Sequence, residues 1–185
     1  MELPPHTIIF DDFLTQKECE ELLNKITDED KWEDSTVKGT GKYIVRKEHR
    51  KSKILSKDNC LRERNFIEGR IRNTILPITK DELDNHEHTL SPVHFQKYGV
   101  GDYFNPHRDT SSSKDSRKLT ILVYLSDKFD GGSTNFHEFD ISIKPKTGRA
   151  LVFPATYLHS GGKVVAGEKY LATCWILEEE SLSWI

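Results

Sequence analysis

The chain has 185 residues, of which 35% are hydrophobic and 31% charged, with a formal net charge of −3. That length suits one domain with a real core rather than two, and the composition is that of a globular protein with a strongly solvated surface. No stretch approaches the ~18 consecutive apolar residues of a membrane span. The charge balance points to no polyanionic partner, and Cys19, Cys60 and Cys174 form neither a disulfide framework nor a CxxC zinc pair.

The opening segment, MELPPHTIIFDDF, lacks a basic n-region and a long apolar core, so no signal peptide is expected. A cytoplasmic location follows as the expectation, with the nucleus left open. Thr7 to Phe10 predicts a short strand. Thr15, with Glu18 three residues on, forms a capping-box pattern for a helix whose buried stripe is Cys19, Leu22, Leu23 and Ile26. The polar stretch from Thr27 to Gly41 reads as loop with a strand after it. Asp58 to Ile75 predicts a second helix with Ile67, Ile71 and Ile75 on one face, and Thr79 to Leu83 a shorter third one.

From Ser91 the period changes to two. Val93, Phe95 and Lys97 alternate with His94, Gln96 and Tyr98, and Lys118 to Ser126 is an almost unbroken apolar strand. Phe139 to Lys144, Arg149 to Phe153 and Lys169 to Leu177 are three further strands, with Pro145 to Gly148 as a hairpin turn between two of them. Helices followed by closely spaced strands imply an α+β fold, a sandwich or jelly-roll barrel packed against N-terminal helices. We expect a single domain over residues 1–185, with a helical support region over 1–90 and the jelly-roll core over 91–180.

His107 and Asp109 stand two apart on a strand end, so both side chains can face one ion. Pro106 suits the end or edge of such a strand. His159, after the Arg149–Phe153 strand, is the candidate third ligand. Two imidazoles and a carboxylate can occupy one face of an octahedral Fe(II) and leave the other open. Lys169 shares a strand face with Leu171, Thr173 and Trp175. An inward lysine calls for an anionic ligand, such as the far carboxylate of a 2-oxo acid on the iron, although a strand start can also emerge into solvent. Tyr98 and Tyr124 can donate phenolic hydrogen bonds to a carboxylate or serve simply as core aromatics.

The segments YGVGDYFNPHRD (98–109), TILVYL (120–125), GGSTNF (131–136), PKTGRALVF (145–153) and HSGGKVVAGEK (159–169) resemble, in order and spacing, the blocks of prolyl 4-hydroxylases. These belong to the Fe(II)/2-oxoglutarate dioxygenases. The resemblance implies a double-stranded β-helix (jelly-roll) core with His107, Asp109 and His159 as catalytic iron ligands. It also implies that Lys169 binds the distal carboxylate of 2-oxoglutarate, with Tyr98 and Tyr124 orienting it. Dioxygen is then the second substrate, ascorbate the supporting reductant, and succinate and CO₂ the by-products. Lys at 169, where many relatives acting on other substrates carry Arg, points to the prolyl 4-hydroxylase branch. Asp109 closes the halide position that halogenating relatives open.

A protein or peptide is the expected substrate. The open alternatives are hydroxylation of another residue or of a free amino acid, or a non-catalytic sensor of iron and 2-oxoglutarate. Lys42 to Arg72 holds eleven Lys and Arg against Glu48, Asp58, Glu63 and Glu68. That segment is either a solvated face or a basic rim for an acidic peptide or nucleic acid. A nucleic-acid partner is disfavoured by Lys169 and by the overall charge. Thr36 to Lys53 and Thr110 to Arg117 are candidate substrate-closing loops. Arg149, His86, His88 and His137 are read as structural or surface residues.

Overall fold

The computed structural model describes residues 2–178 apart from 28, 39–42, 57, 80–87 and 111–115. Its frame is a twisted eight-stranded antiparallel sheet. The order runs Ile8–Phe10, Ala150–Pro154, Arg117–Tyr124, Lys169–Glu178, His94–Tyr98, Lys53–Leu55 and Trp32–Asp34, with His88–Leu90 also pairing Lys169–Glu178. Facing it is a five-stranded sheet in the order Ile141–Ile143, Thr134–Phe136, His159–Gly161, Tyr103–His107 and Arg50–Lys51. Two antiparallel sheets closing on one another form the jelly-roll core.

Alternation along the longest strand explains why there are two cores. Tyr170, Ala172, Cys174 and Ile176 point away from the smaller sheet, into a cluster with Phe95, Ile121 and Val123. Helix α1 (Gln16–Ile26) contributes Cys19, Leu22 and Ile26 to that cluster, and helix α2 (Leu61–Thr79) contributes Ile67, Ile71 and Ile75. The other face of the sheet carries Tyr98, Tyr124, Leu151, Phe153 and Leu171, which pack on Phe136, Ile143 and Val164. The helices therefore brace one side of the sheet, and its other side is left to enclose a cleft.

Helix α1 begins with the expected capping box. The Glu18 backbone donates to the Thr15 hydroxyl, and the Thr15 backbone donates to the Glu18 carboxylate. Helix α2 differs from the expectation at both ends. It starts at Leu61 and continues through Pro77 to Thr79. Thr79 lies in the last turn of α2, where its buried hydroxyl donates to the carbonyls of Ile75 and Leu76. The rest of the expected short helix, residues 80–83, and His86 lie outside the described residues. From α2 the buried Arg64 ties helix to sheet, donating to the carbonyls of Leu55, at 2.9 Å, and of Val93.

Two further expectations are corrected. Pro145 to Gly148 is not a hairpin turn between partnered strands. Ile141–Ile143 pairs with Thr134–Phe136 in the small sheet, and Ala150–Pro154 pairs with Arg117–Tyr124 and Ile8–Phe10 in the large one. The turn carries the chain from one sheet to the other. It is pinned to Leu14, whose N–H donates to the Gly148 carbonyl at 3.0 Å. Gly148 has φ +77°, and a Cβ there would strike the Leu14 carbonyl. Residues 1–90 are also more than a helical support, because they supply strands to both sheets.

Candidate active site

Tyr103–His107 and His159–Gly161 are neighbours in the small sheet, in a register that sets His107 opposite His159. Asp109 lies just past the strand end, where its backbone N–H donates to the Ala155 carbonyl at 3.0 Å. The ligand atoms of His107, Asp109 and His159 consequently lie within 4.8 Å of one another. Nε2 of His107 is 3.5 Å from Oδ1 of Asp109, and Nε2 of His159 is 3.7 Å from Oδ2.

Both imidazoles are oriented by the backbone. Nδ1 of His107 bonds the Asn105 carbonyl at 2.8 Å, and Nδ1 of His159 bonds the Tyr157 carbonyl at 2.9 Å. A carbonyl only accepts, so each Nδ1 carries the proton and each Nε2 presents its lone pair to the shared point. Phe104 stacks on His107 at 3.5 Å between centroids, and Phe153 packs edge-on to His159 at 4.8 Å. Burial pushes the His159 imidazole down to about 4, which keeps it neutral and able to coordinate. Burial alone would raise Asp109. Its surroundings, the neighbouring His107 and His159 and the Thr120 hydroxyl, outweigh burial and hold the carboxyl well below its usual range. Two neutral nitrogens and one carboxylate on one side of a point form the donor set of a non-haem Fe(II) site with open positions.

Lys169 lies deeper in the same cleft. It is 3% exposed, and its Nζ donates to the Gly132 carbonyl at 2.6 Å, between the Tyr98 and Tyr124 rings at 5.4 and 5.6 Å. The strand face is inward, as alternation requires. Among the described residues no carboxylate pairs with this ammonium. Burial pushes Lys169 down to about 7. Further along the same face, the buried Thr173 hydroxyl and the Trp175 indole nitrogen have no hydrogen-bond partner among the described residues. Orphaned polar atoms and an unneutralised lysine in one cleft are what an anionic, oxygen-rich ligand would satisfy. The cleft, of about 1180 Å³, contains the three candidate ligands together with Lys169, Thr173 and Trp175.

The structure thus brings together the residues singled out in the sequence. Tyr98 and Tyr124 wall the lysine. The Tyr124 hydroxyl is 2.7 Å from the Thr134 hydroxyl, and the Tyr98 hydroxyl donates to Gln96 at 3.2 Å. Sequence reasoning missed Thr120, Phe104, Arg50 and Arg117. Thr120 could have been found from alternation, since it shares the Leu122 and Tyr124 face. Arg149 is structural, as read, bonding Asp11 at 2.8 Å. His137 contacts the Ser160 hydroxyl and joins no ligand group.

Residues 93–177 match the model of the 2OG-Fe(II) oxygenase superfamily, and over that segment the chain is similar to its members. The chain is also similar to prolyl 4-hydroxylases. It is 36% identical over 106 residues to a candidate prolyl 4-hydroxylase of Acanthamoeba polyphaga mimivirus, covering 45% of this chain and 43% of that protein. It is 27% identical over 217 residues to prolyl 4-hydroxylase 5 of Arabidopsis thaliana, covering 92% and 68%. Among solved structures, the viral collagen prolyl hydroxylase of Paramecium bursaria Chlorella virus-1 with bound 2-oxoglutarate superposes with a TM-score of 0.71 at 23% identity, covering 95% of this chain and 97% of that one. That likeness carries the fold. No helix among the described residues is long and apolar enough to cross a membrane.

Proposed function

We propose that this chain is an Fe(II)- and 2-oxoglutarate-dependent hydroxylase of prolyl residues in a protein or peptide. The observation that carries the reading is the joint presence, in one cleft, of the His107, Asp109 and His159 cluster and the buried, unneutralised Lys169. Loaded with Fe(II) and 2-oxoglutarate, such a site supplies oxidative decarboxylation to succinate and CO₂, coupled to hydroxylation of a C–H bond by dioxygen.

The chain's own residues do the rest. His107 and His159 offer Nε2, and Asp109 offers the one negative charge, each fixed by a partner behind it. Lys169 takes the distal carboxylate of 2-oxoglutarate in a charge-assisted pair, and Tyr98 and Tyr124 limit where that carboxylate can lie. Phe104 and Phe153 shield the imidazoles from bulk water. Ascorbate as reductant and residence in the cytoplasm belong to the same proposal, the latter supported by the buried free thiols of Cys19 and Cys174.

Mass spectrometry of proline-containing peptides incubated with iron, 2-oxoglutarate and ascorbate tests the reading, with free proline alongside. Gain of one oxygen atom on peptidyl proline, matched by succinate, is expected. Absence of succinate with every peptide, and identical behaviour of Asp109→Ala, would rule it out.

A further inference from the structure

The basic segment of the first half meets the cleft at Arg46 and Arg50. Arg50 is held rather than free to wander. Its Nε donates to the Ser52 hydroxyl at 2.7 Å, Ser52 donates to Ser35 at 2.9 Å, and its guanidinium lies 4.6 Å over the Phe104 ring. Phe104 in turn stacks on the candidate ligand His107. Yet Nη2 of Arg50 is shielded from solvent without an acceptor, and among the described residues no carboxylate pairs with Arg50 or with the exposed Arg46.

The other charges of the cleft are already matched. Arg108 is occupied by Glu138 at 2.8 Å. In the loaded site proposed above, the ion, Asp109, the two carboxylates of 2-oxoglutarate and Lys169 balance to neutrality. What remains is a positive wall beside the metal position, and among the described residues Asp109 is the one acidic residue lining the cleft. Arg117, over Trp175 at 4.2 Å and donating to the Asp109 carbonyl at 3.0 Å, lines the cleft from the large sheet. The reach of these charges is visible at His94, whose imidazole is pushed down to about 4 by burial and then by the charges of Arg64, Arg117 and Arg50.

We infer that Arg50, with Arg46 outside it, selects substrates carrying a carboxylate side chain close to the hydroxylated residue, so that the substrate class is an acidic peptide. The inference rests on the hydroxylase reading above. A stacked, pre-oriented guanidinium pairs best with a planar carboxylate, and it binds with little further loss of freedom. A nucleic acid would also answer positive charge, but among the described residues only Arg46 and Arg50 of the basic segment line the cleft, too few cations to follow a phosphate backbone.

The test measures fluorescence anisotropy on the protein loaded with Mn(II) and 2-oxoglutarate without oxygen. Three labelled peptides are compared, with a central proline flanked by Asp, by Asn or by Lys, together with a short single-stranded oligonucleotide. The Asp peptide is expected to bind about tenfold or more tighter than the Asn peptide, the difference shrinking with salt. Arg50→Gln should collapse that ratio, and so, more weakly, should Arg46→Gln, whose exposed site carries no packing. Equal binding of Asp and Asn peptides would overturn the inference. So would an Arg50→Gln variant that weakens both peptides equally, or an oligonucleotide that outcompetes the Asp peptide. The same peptides under turnover separate the two readings. Equal hydroxylation of Asp and Asn peptides sinks the selectivity alone, whereas tight, Arg50-dependent binding without oxygen incorporation sinks the hydroxylase and leaves the surface.

Discussion

The Thr120 hydroxyl donates a 2.6 Å hydrogen bond to Oδ2 of Asp109. Thr120 is fully buried in the middle of the large sheet, so the sheet itself orients the carboxylate of a residue that lies beyond the end of the small one. Thr120→Val keeps the shape and removes the donor. We expect Mn(II) affinity, followed by electron paramagnetic resonance, to fall about 10- to 100-fold with the fold intact. Unchanged affinity would reduce Thr120 to a core residue.

Lys169 gives the site a pH signature. Burial lowers it from an ordinary value of 10.5 to about 7. Between those values the unfolded chain holds the proton and the ligand-free fold does not. The ligand-free protein therefore gains stability as pH rises through that window, by at most about 1.4 kcal/mol per unit. Binding a carboxylate restores the ammonium. Above about pH 7, 2-oxoglutarate binding should take up a proton and weaken as pH rises, whereas below it Lys169 contributes no slope. Calorimetry in buffers of different ionisation enthalpy reads the proton directly. Lys169→Met should abolish that uptake and raise the requirement for 2-oxoglutarate steeply while raising the melting temperature of the ligand-free protein, because an unpaired buried cation is lost.

Gly132 sets the place of that lysine. Its carbonyl accepts from Nζ, its φ is +63°, and a Cβ there would come within 2.8 Å of the Phe129 ring and 3.1 Å of the Lys169 Cδ. Gly132→Ala should weaken 2-oxoglutarate binding several-fold at a stability cost of about 1 kcal/mol. Gly148→Ala makes the control. Its backbone is equally left-handed, but the added Cβ meets the Leu14 carbonyl and not the lysine. Thermal melting should show the larger loss there, with 2-oxoglutarate affinity preserved in the folded fraction.

The parts of this fold that were legible in the sequence are those written by periodicity over several residues. Lys169, Leu171, Thr173 and Trp175 declare a face because the strand is long and buried on both sides, so one register error would exchange lysine for Tyr170. The capping box of α1 is similarly local. What escaped is non-local or short. Pro145 to Gly148 announces a chain reversal, but turn chemistry does not say which strand the chain pairs with next, and here it changes sheet. Arg50–Lys51 and Lys53–Leu55 are too short to show alternation, so the stack of Arg50 on Phe104 and of Phe104 on His107 exists only once the small sheet has formed.

Metal removal separates a working site from a chance cluster. Asp109 holds a buried negative charge beside His107 and His159, and in the ion-free protein the Thr120 hydroxyl donates to it at 2.6 Å. An ion bound only by the folded protein stabilises it by about 2.7 kcal/mol at a hundredfold excess over its dissociation constant. Mn(II) should therefore raise the melting temperature of the wild-type protein, and a chelator should reverse the rise. Asp109→Ala removes the charged ligand and leaves the Thr120 hydroxyl without its acceptor. That variant should show no melting shift with Mn(II) and no succinate above background. His137→Ala, which alters a histidine outside the cluster, should keep the full shift. A shift that survives Asp109→Ala but disappears in His137→Ala would place the ion elsewhere and undo the assignment of all three ligands.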